Sequence, residues 1–152
     1  QVAEGKMHKK YLTVLCGKPV DNNGTYVDYL KQDKKNNCSR IVDKSDPESK
    51  RAELEYKVLD CIQTEEKDPQ YLSLVEIKLL TGRHHQIRVQ FSGHGTPLYG
   101  DGKYGNNEKA VRKSLALCAC HLKFKHPATG KIMDFQIKPD TGAFKLFSKS
   151  ND

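Results

Sequence analysis

The run Thr81-Gly82-Arg83-His84-His85-Gln86-Ile87-Arg88 gathers two arginines, two histidines and a glutamine around the expected start of a helix. A helix N-terminus carries unpaired N–H groups and partial positive charge, so it attracts phosphates. Arg83 and His85 can add charge-assisted bonds at the same place. On a helix, His84 and Arg88 share a face. Arg88 also neighbours Ile87, so its guanidinium is expected to be drawn inward. A partly buried arginine needs an acceptor. Two readings follow. Arg88 forms a structural salt bridge, or it holds a catalytic carboxylate in its ionised form. Spacing leaves both open.

The elements around this run must position it. Lys9 to Cys16 has the β-branched and aromatic content of a strand. Asn22-Asn23-Gly24 is a turn signal, and Thr25 to Leu30 follows as a short strand. Gln32 to Lys50 is polar and reads as an exposed excursion, with Ile41 and Val42 as its apolar contact. Arg51 to Gln63 fits a helix through Leu54, Val58 and Ile62, but also fits a strand, and the strand is preferred. Thr64 to Gln70 reads as a charged turn. Tyr71 to Leu80 is the clearest strand, ended by Thr81 and Gly82. His84 to Ser92 reads as a helix with Ile87 and Phe91 on one face and Gly93 as its C′ residue. Thr96 to Gly105 is a glycine-rich loop, and Glu108 to Lys113 suits a short helix. Leu122 to Lys125 and Lys131 to Lys138 form a hairpin, with Met133, Phe135 and Ile137 alternating. The last residues are expected to fray. Mostly antiparallel strands with a few helices make an α+β class, a mostly antiparallel mixed sheet.

The chain has 152 residues, the length of one domain. With 26 Lys and Arg against 19 Asp and Glu it carries +7, which favours polyanionic partners. No stretch is apolar enough for a membrane span, and no signal peptide is visible. The five cysteines are an odd number, which suits free thiols in a reducing cytoplasm. Cys118, Cys120, His121 and His126 invite a zinc reading. Cys118 and Cys120 lie in an apolar run, however, and their spacing is too short for a ligand pair, so core cysteines are the better reading and no metal is expected.

Several ordered blocks carry a family resemblance. Gly82 to Gln90 reads GRHHQIRVQ and resembles the G-R-T-H-Q-I-R-V-H block of the RluA-type pseudouridine synthases. His84 stands where Thr is usual, and Gln90 where His is usual. Gly93 to Gly105 resembles the G-H-P-I-x-G-D-x-x-Y-G block, with Gly95-Thr96 extending it. Lys9-Lys10-Tyr11 with Gly17 resembles the K-x-Y strand. Leu115 to Lys131 resembles L-A-L-H-A…L-x-F-x-H-P-x-T-G, with Cys118 where His is frequent. The blocks span Lys9 to Lys131.

The resemblance implies an RNA uridine isomerase of pseudouridine synthase-like fold that needs no cofactor. An aspartate attacks the ribose or base of a flipped uridine, the glycosidic bond breaks, the base turns, and C5 joins C1′. Tyr11 would stack on the base and is implicated in removing the C5 proton. Arg88 would pair with the aspartate. Lys9, Arg83, His85 and Gln86 would contact RNA, and Leu98 would form an apolar wall opposite Tyr11. Ribosomal and transfer RNA are both candidate partners.

The nucleophile block, H-R-L-D-x-x-T-S-G, is absent. Arg40-Ile41-Val42-Asp43 is a poor imitation on the wrong side of Tyr11, and Asp101 belongs to another block. A carboxylate is indispensable to this chemistry. Residues 1–152 are therefore expected to be the C-terminal part of a catalytic domain, inactive alone, with about 80 residues upstream holding the aspartate. On this view Arg88 faces an acidic partner that the chain itself does not supply. The alternative is a non-catalytic RNA-binding module of the same fold.

Overall fold

The computed structural model describes residues 7–65, 70–105, 115–125, 132–136 and 142–148. β1 (Met7–Cys16), β2 (Asn23–Asp33), β3 (Cys38–Val42), β4 (Lys50–Gln63) and β5 (Tyr71–Leu79) precede α1 (Gln86–Gly93). β6 (Leu117–Lys125), β7 (Ile132–Gln136), a 3-10 turn (Gly142–Phe144) and α2 (Lys145–Ser148) follow. The strands form one sheet in the order β3-β2-β4-β5-β1-β6-β7, and each pairing is antiparallel.

Strand alternation gives each face of β1 its own core. Tyr11, Thr13 and Leu15 face α1, and Leu15 packs with Leu54, Val75, Ile77, Ile87, Phe91 and Leu98. Leu12, Val14 and Cys16 face the C-terminal segment, where Val14 packs with Leu72, Ala143, Phe144 and Phe147. The C-terminal segment is thus packed on the sheet over residues 142–148, while the last four residues, which were expected to fray, lie outside the described residues. Phe144 and Phe147 are apolar anchors, and their burial outweighs the polar residues around them.

The polar excursion over Gln32 to Lys50 is also ordered. It contains the end of β2 and all of β3, and Ile41 pairs with Leu30. Ladder hydrogen bonds and the ties of buried Ser39 to Tyr104 and His84 order it, which composition alone does not reveal. β4 is a strand, as preferred; its fourfold apolar spacing coexists with a bulge between Val58 and Asp60 that turns Leu59 outward.

The helix starts at Gln86 rather than His84, because His85 sits in the left-handed region at φ 54°. It ends one residue late as well. Gly93 is its last residue, and Gly95, at φ 93°, takes the C′ position. The Gly95 N–H donates to Ser92 O and the Thr96 N–H to Phe91 O, the paired bonds of a Schellman cap. The β6–β7 hairpin is present, whereas its connection, the helix expected over 108–113, and residues 66–69 of the charged turn lie outside the described residues. Among the described residues, no helix is long and apolar enough to cross a membrane.

Candidate active site

The helix α1 is held between the sheet and the glycine-rich loop. Ile87 and Phe91 point into the core below. His85, Arg88 and Ser92, spaced as one helical stripe, bond to the loop above. Ser92 Oγ donates to Tyr104 O at 2.6 Å. The loop is pinned to β1 in turn: the Cys16 N–H donates to Pro97 O and the Tyr99 N–H to Val14 O.

Arg88 is the centre of this arrangement, and here one expectation fails. Its carboxylate partner lies within the chain. Arg88 Nε donates to Asp101 Oδ2 at 3.0 Å and Nη2 to Asp101 Oδ1 at 2.8 Å. Asp101 is fully buried, while the Arg88 side chain is 19% exposed. Oδ1 also accepts the Lys103 and Tyr104 N–H groups, at 3.1 and 3.0 Å. Burial pushes the Asp101 carboxyl up, but the Arg88 hydrogen bonds and the two backbone N–H groups outweigh it and hold the group below its ordinary range. Asp101 raises the Arg88 guanidinium correspondingly. The arginine further lies 5.1 Å from the Tyr104 ring centroid. The sequence signal was available: an aspartate two and three residues ahead of backbone N–H groups in a glycine loop is a turn former.

Tyr104 ties the site to the β2–β3 hairpin. Its hydroxyl accepts the Ser39 N–H at 3.0 Å and lies 2.7 Å from His85 Nδ1. The Tyr104 phenol thus engages one ring nitrogen of His85. Burial, then the positive surroundings of His84, Arg88 and Lys103, lower its pKa. His85 is therefore a poor cation for a phosphate, contrary to the expectation. His84 bridges outward: its Nδ1 lies 2.8 Å from Ser39 Oγ and its Nε2 3.1 Å from Asn37 Oδ1. Tyr104, Ser39 and Asn37 were not anticipated, because only the folded loop and hairpin bring them to α1.

Gln86 and Leu98 are supports of the site rather than surfaces of it. Gln86 is buried; its Oε1 accepts from Thr81 Oγ1 and the Arg83 N–H, and its Nε2 donates to Glu53 O. These bonds shape the turn into α1 and leave little for RNA. Leu98 is 1% exposed and packs with Leu15. Arg83 is exposed, and its Nε donates to Arg51 O at 2.8 Å.

Tyr11 lies near the centre of the sheet, opposite Ile77 and on the α1 face. The β1–β6 ladder is interrupted beside it: Lys10 pairs with His121 and Tyr11 with Ala119, so Cys120 is an extra residue. Bulges of this kind re-aim a neighbouring side chain and recur at active sites. Tyr11 is half-buried, and burial raises its phenol. Lys9, two residues earlier, shares its face and is half-exposed. The structure places Tyr11 and Arg88 on one side of the sheet but joins them by no hydrogen bond or ring contact. Among the described residues, no group of three His, Cys, Asp or Glu side chains could hold a metal ion. The side chains of Cys120, His121 and His126 lie outside the described residues.

Comparison with known proteins points the same way as these placements. Residues 1–93 match the family model described as RNA pseudouridylate synthase. The chain is 33% identical over 146 residues to ribosomal large subunit pseudouridine synthase D of Zymomonas mobilis, covering 91% of this chain and 43% of that protein. It is 35% identical over 136 residues to the uncharacterized RNA pseudouridine synthase YlyB of Bacillus subtilis, covering 90% of this chain and 42% of that one. The chain thus spans less than half the length of these relatives. In fold it resembles the human RNA pseudouridylate synthase domain containing 1 structure, with a TM-score of 0.77 at 23% identity over 99% of this chain and 59% of that one. The match spans both the Tyr11 strand and the Arg88 helix, and the chain belongs to the RNA pseudouridylate synthase family.

Proposed function

We propose that residues 1–152 form part of the catalytic domain of an enzyme that isomerises uridine to pseudouridine in RNA. The reading rests on family membership and, within the site, on one observation above all: Arg88 is braced by Asp101 through two of its nitrogens, while Nη1 makes no hydrogen bond among the described residues. A guanidinium held along one edge is a preorganised donor at its other edge. A second carboxylate there would be the nucleophile, carried by a segment outside residues 1–152, and Arg88 would keep it ionised.

The other residues take matching parts. Tyr11, a neutral phenol that burial moves further from ionisation, suits stacking on a base turned out of its helix. Lys9 and Arg83 suit contacts to the RNA backbone. In the reaction the N1–C1′ bond breaks, the C5–C1′ bond forms, C5 gives up a proton and N1 gains one, so no redox partner is required. Ribosomal RNA is the favoured substrate, since a relative's name specifies the large ribosomal subunit; transfer RNA is the alternative.

A second reading has its own support. Asp101 already matches the Arg88 charge, so the fold is self-consistent without a catalytic aspartate, as a non-catalytic RNA-binding module requires. Tritium release from RNA labelled at uridine C5 separates the two. The full chain carrying residues 1–152 is expected to release tritium, and residues 1–152 alone are not. A full chain that binds RNA and releases none establishes the binding module instead.

A further inference from the structure

A cleft of about 360 Å³ opens between the β2–β3 hairpin and the turn that leads into α1. We infer that it holds a backbone phosphate of the RNA strand; the inference rests on the RNA reading above and adds a subsite to it. Leu30 and Ser39 form its floor, and Lys34 and Lys50 stand at its sides. Gly82, Arg83 and His84 line its mouth. The ladder explains the grouping. Lys50 pairs with Leu30 and Ser39 with Gln32, so these side chains emerge on one face of the sheet.

The charges favour an anion. Glu48 is the one carboxylate on the lining, and Lys31 engages it at 3.3 Å from outside the cleft. Among the described residues, neither Lys34 nor Lys50 has an ion pair. Arg83 is oriented by the bond from its Nε to Arg51 O, which fixes the guanidinium as a forked donor, the geometry that suits phosphate. His84 is fixed on both ring nitrogens by Ser39 and Asn37, so the hairpin and the turn keep a constant separation. A Cβ added at Gly82 would meet no heavy atom within 4 Å, so the mouth is open. An adjoining groove, lined by Lys31, Lys34 and Arg40 against Asp33 and Glu48, keeps a net positive charge beside the cleft, as a polyanionic strand would need. A small free anion would have no use for that groove.

The test measures binding of a labelled, uridine-containing single-stranded RNA to the full chain across a salt titration. Lys34→Ala with Lys50→Ala is compared with Lys18→Ala with Lys57→Ala, a pair of exposed lysines outside the cleft. The cleft pair is expected to weaken binding and to reduce the slope of log affinity against log salt by about 0.7, the value of one lost single-strand phosphate contact. Gly82→Asp, which places a carboxylate at the open mouth, is expected to weaken binding in the same direction. The distant pair is expected to change neither quantity comparably. An unchanged slope in the cleft pair, or an equal loss in the distant pair, overturns the subsite. The two readings fail separately: a wild-type chain that isomerises uridine while the cleft pair binds normally refutes only the subsite. A wild-type chain that binds through the cleft without isomerising uridine refutes only the enzyme.

Discussion

Replacing Asp101 by asparagine keeps the side chain's shape and removes its charge. Asp101 is fully buried and accepts four hydrogen bonds, two from Arg88 and two from the backbone of its own loop. An asparagine offers one acceptor oxygen where the carboxylate offers two, and an amide N–H then faces a guanidinium or a backbone donor. Breaking a fully buried pair costs about 3–5 kcal/mol. The Arg88 side chain is 19% exposed and recovers part of that from water, so about 2–4 kcal/mol is expected. At about 2–4 °C per kcal/mol for a domain of this size, a loss of about 3 kcal/mol lowers Tm by roughly 6–12 °C. The effect has a pH signature. The folded-state pKa of Asp101 is depressed below 3.8, so its contribution to stability is complete above that value and disappears as pH falls through the folded pKa. Wild type and Asp101→Asn should therefore differ fully at neutral pH and converge under acid. The assay is urea unfolding from pH 7 downward, with Arg88→Met and the double variant closing a cycle. A coupling energy below about 0.5 kcal/mol would show that the pair does not brace the loop, and the reasoning would fail.

Other perturbations test separate parts of the account. Gly105→Ala should destabilise the glycine-rich loop by about 1–3 kcal/mol, because its new Cβ would lie 2.5 Å from Asp101 O, a backbone atom that cannot rotate away; chemical denaturation reads the cost. Phe147→Ala should cost about 3–5 kcal/mol, since Phe147 is 1% exposed within the second core; a change under about 0.5 kcal/mol in the same assay would mean that the C-terminal segment is not packed on the sheet. Tyr11→Phe should leave stability nearly unchanged and retain RNA affinity, whereas Tyr11→Ala should lose isomerisation; equal activity in Tyr11→Ala would remove Tyr11 from the site.

Much of this architecture was legible in the residues. The β1 and β5 strands announce themselves by composition, and the Ile87 and Phe91 spacing gives the buried face of α1. Where the reading failed, the missing information was tertiary. Arg88 was rightly given a carboxylate, but Asp101 lies thirteen positions away in a loop, and only folding that loop back over α1 makes the pair. His85 resembles a phosphate ligand until its left-handed backbone and the Tyr104 hydroxyl show it turned against the loop. Gln86 resembles a surface amide until its bonds to Thr81, Arg83 and Glu53 place it beneath the turn. The β2–β3 hairpin is hardest to foresee. Its order comes from a ladder and from contacts with α1 and Tyr104, none of which alters local composition.

The role given to Arg88 is tested most directly by single-turnover tritium release from C5-labelled RNA with Arg88→Lys in the full chain. Lysine keeps the charge but loses the fork that braces on Asp101 and is proposed to hold a second carboxylate. The account predicts a rate lower by about 10²-fold or more with RNA affinity unchanged, the scale of losing one preorganised donor. A wild-type rate, or a loss confined to affinity, would contradict it.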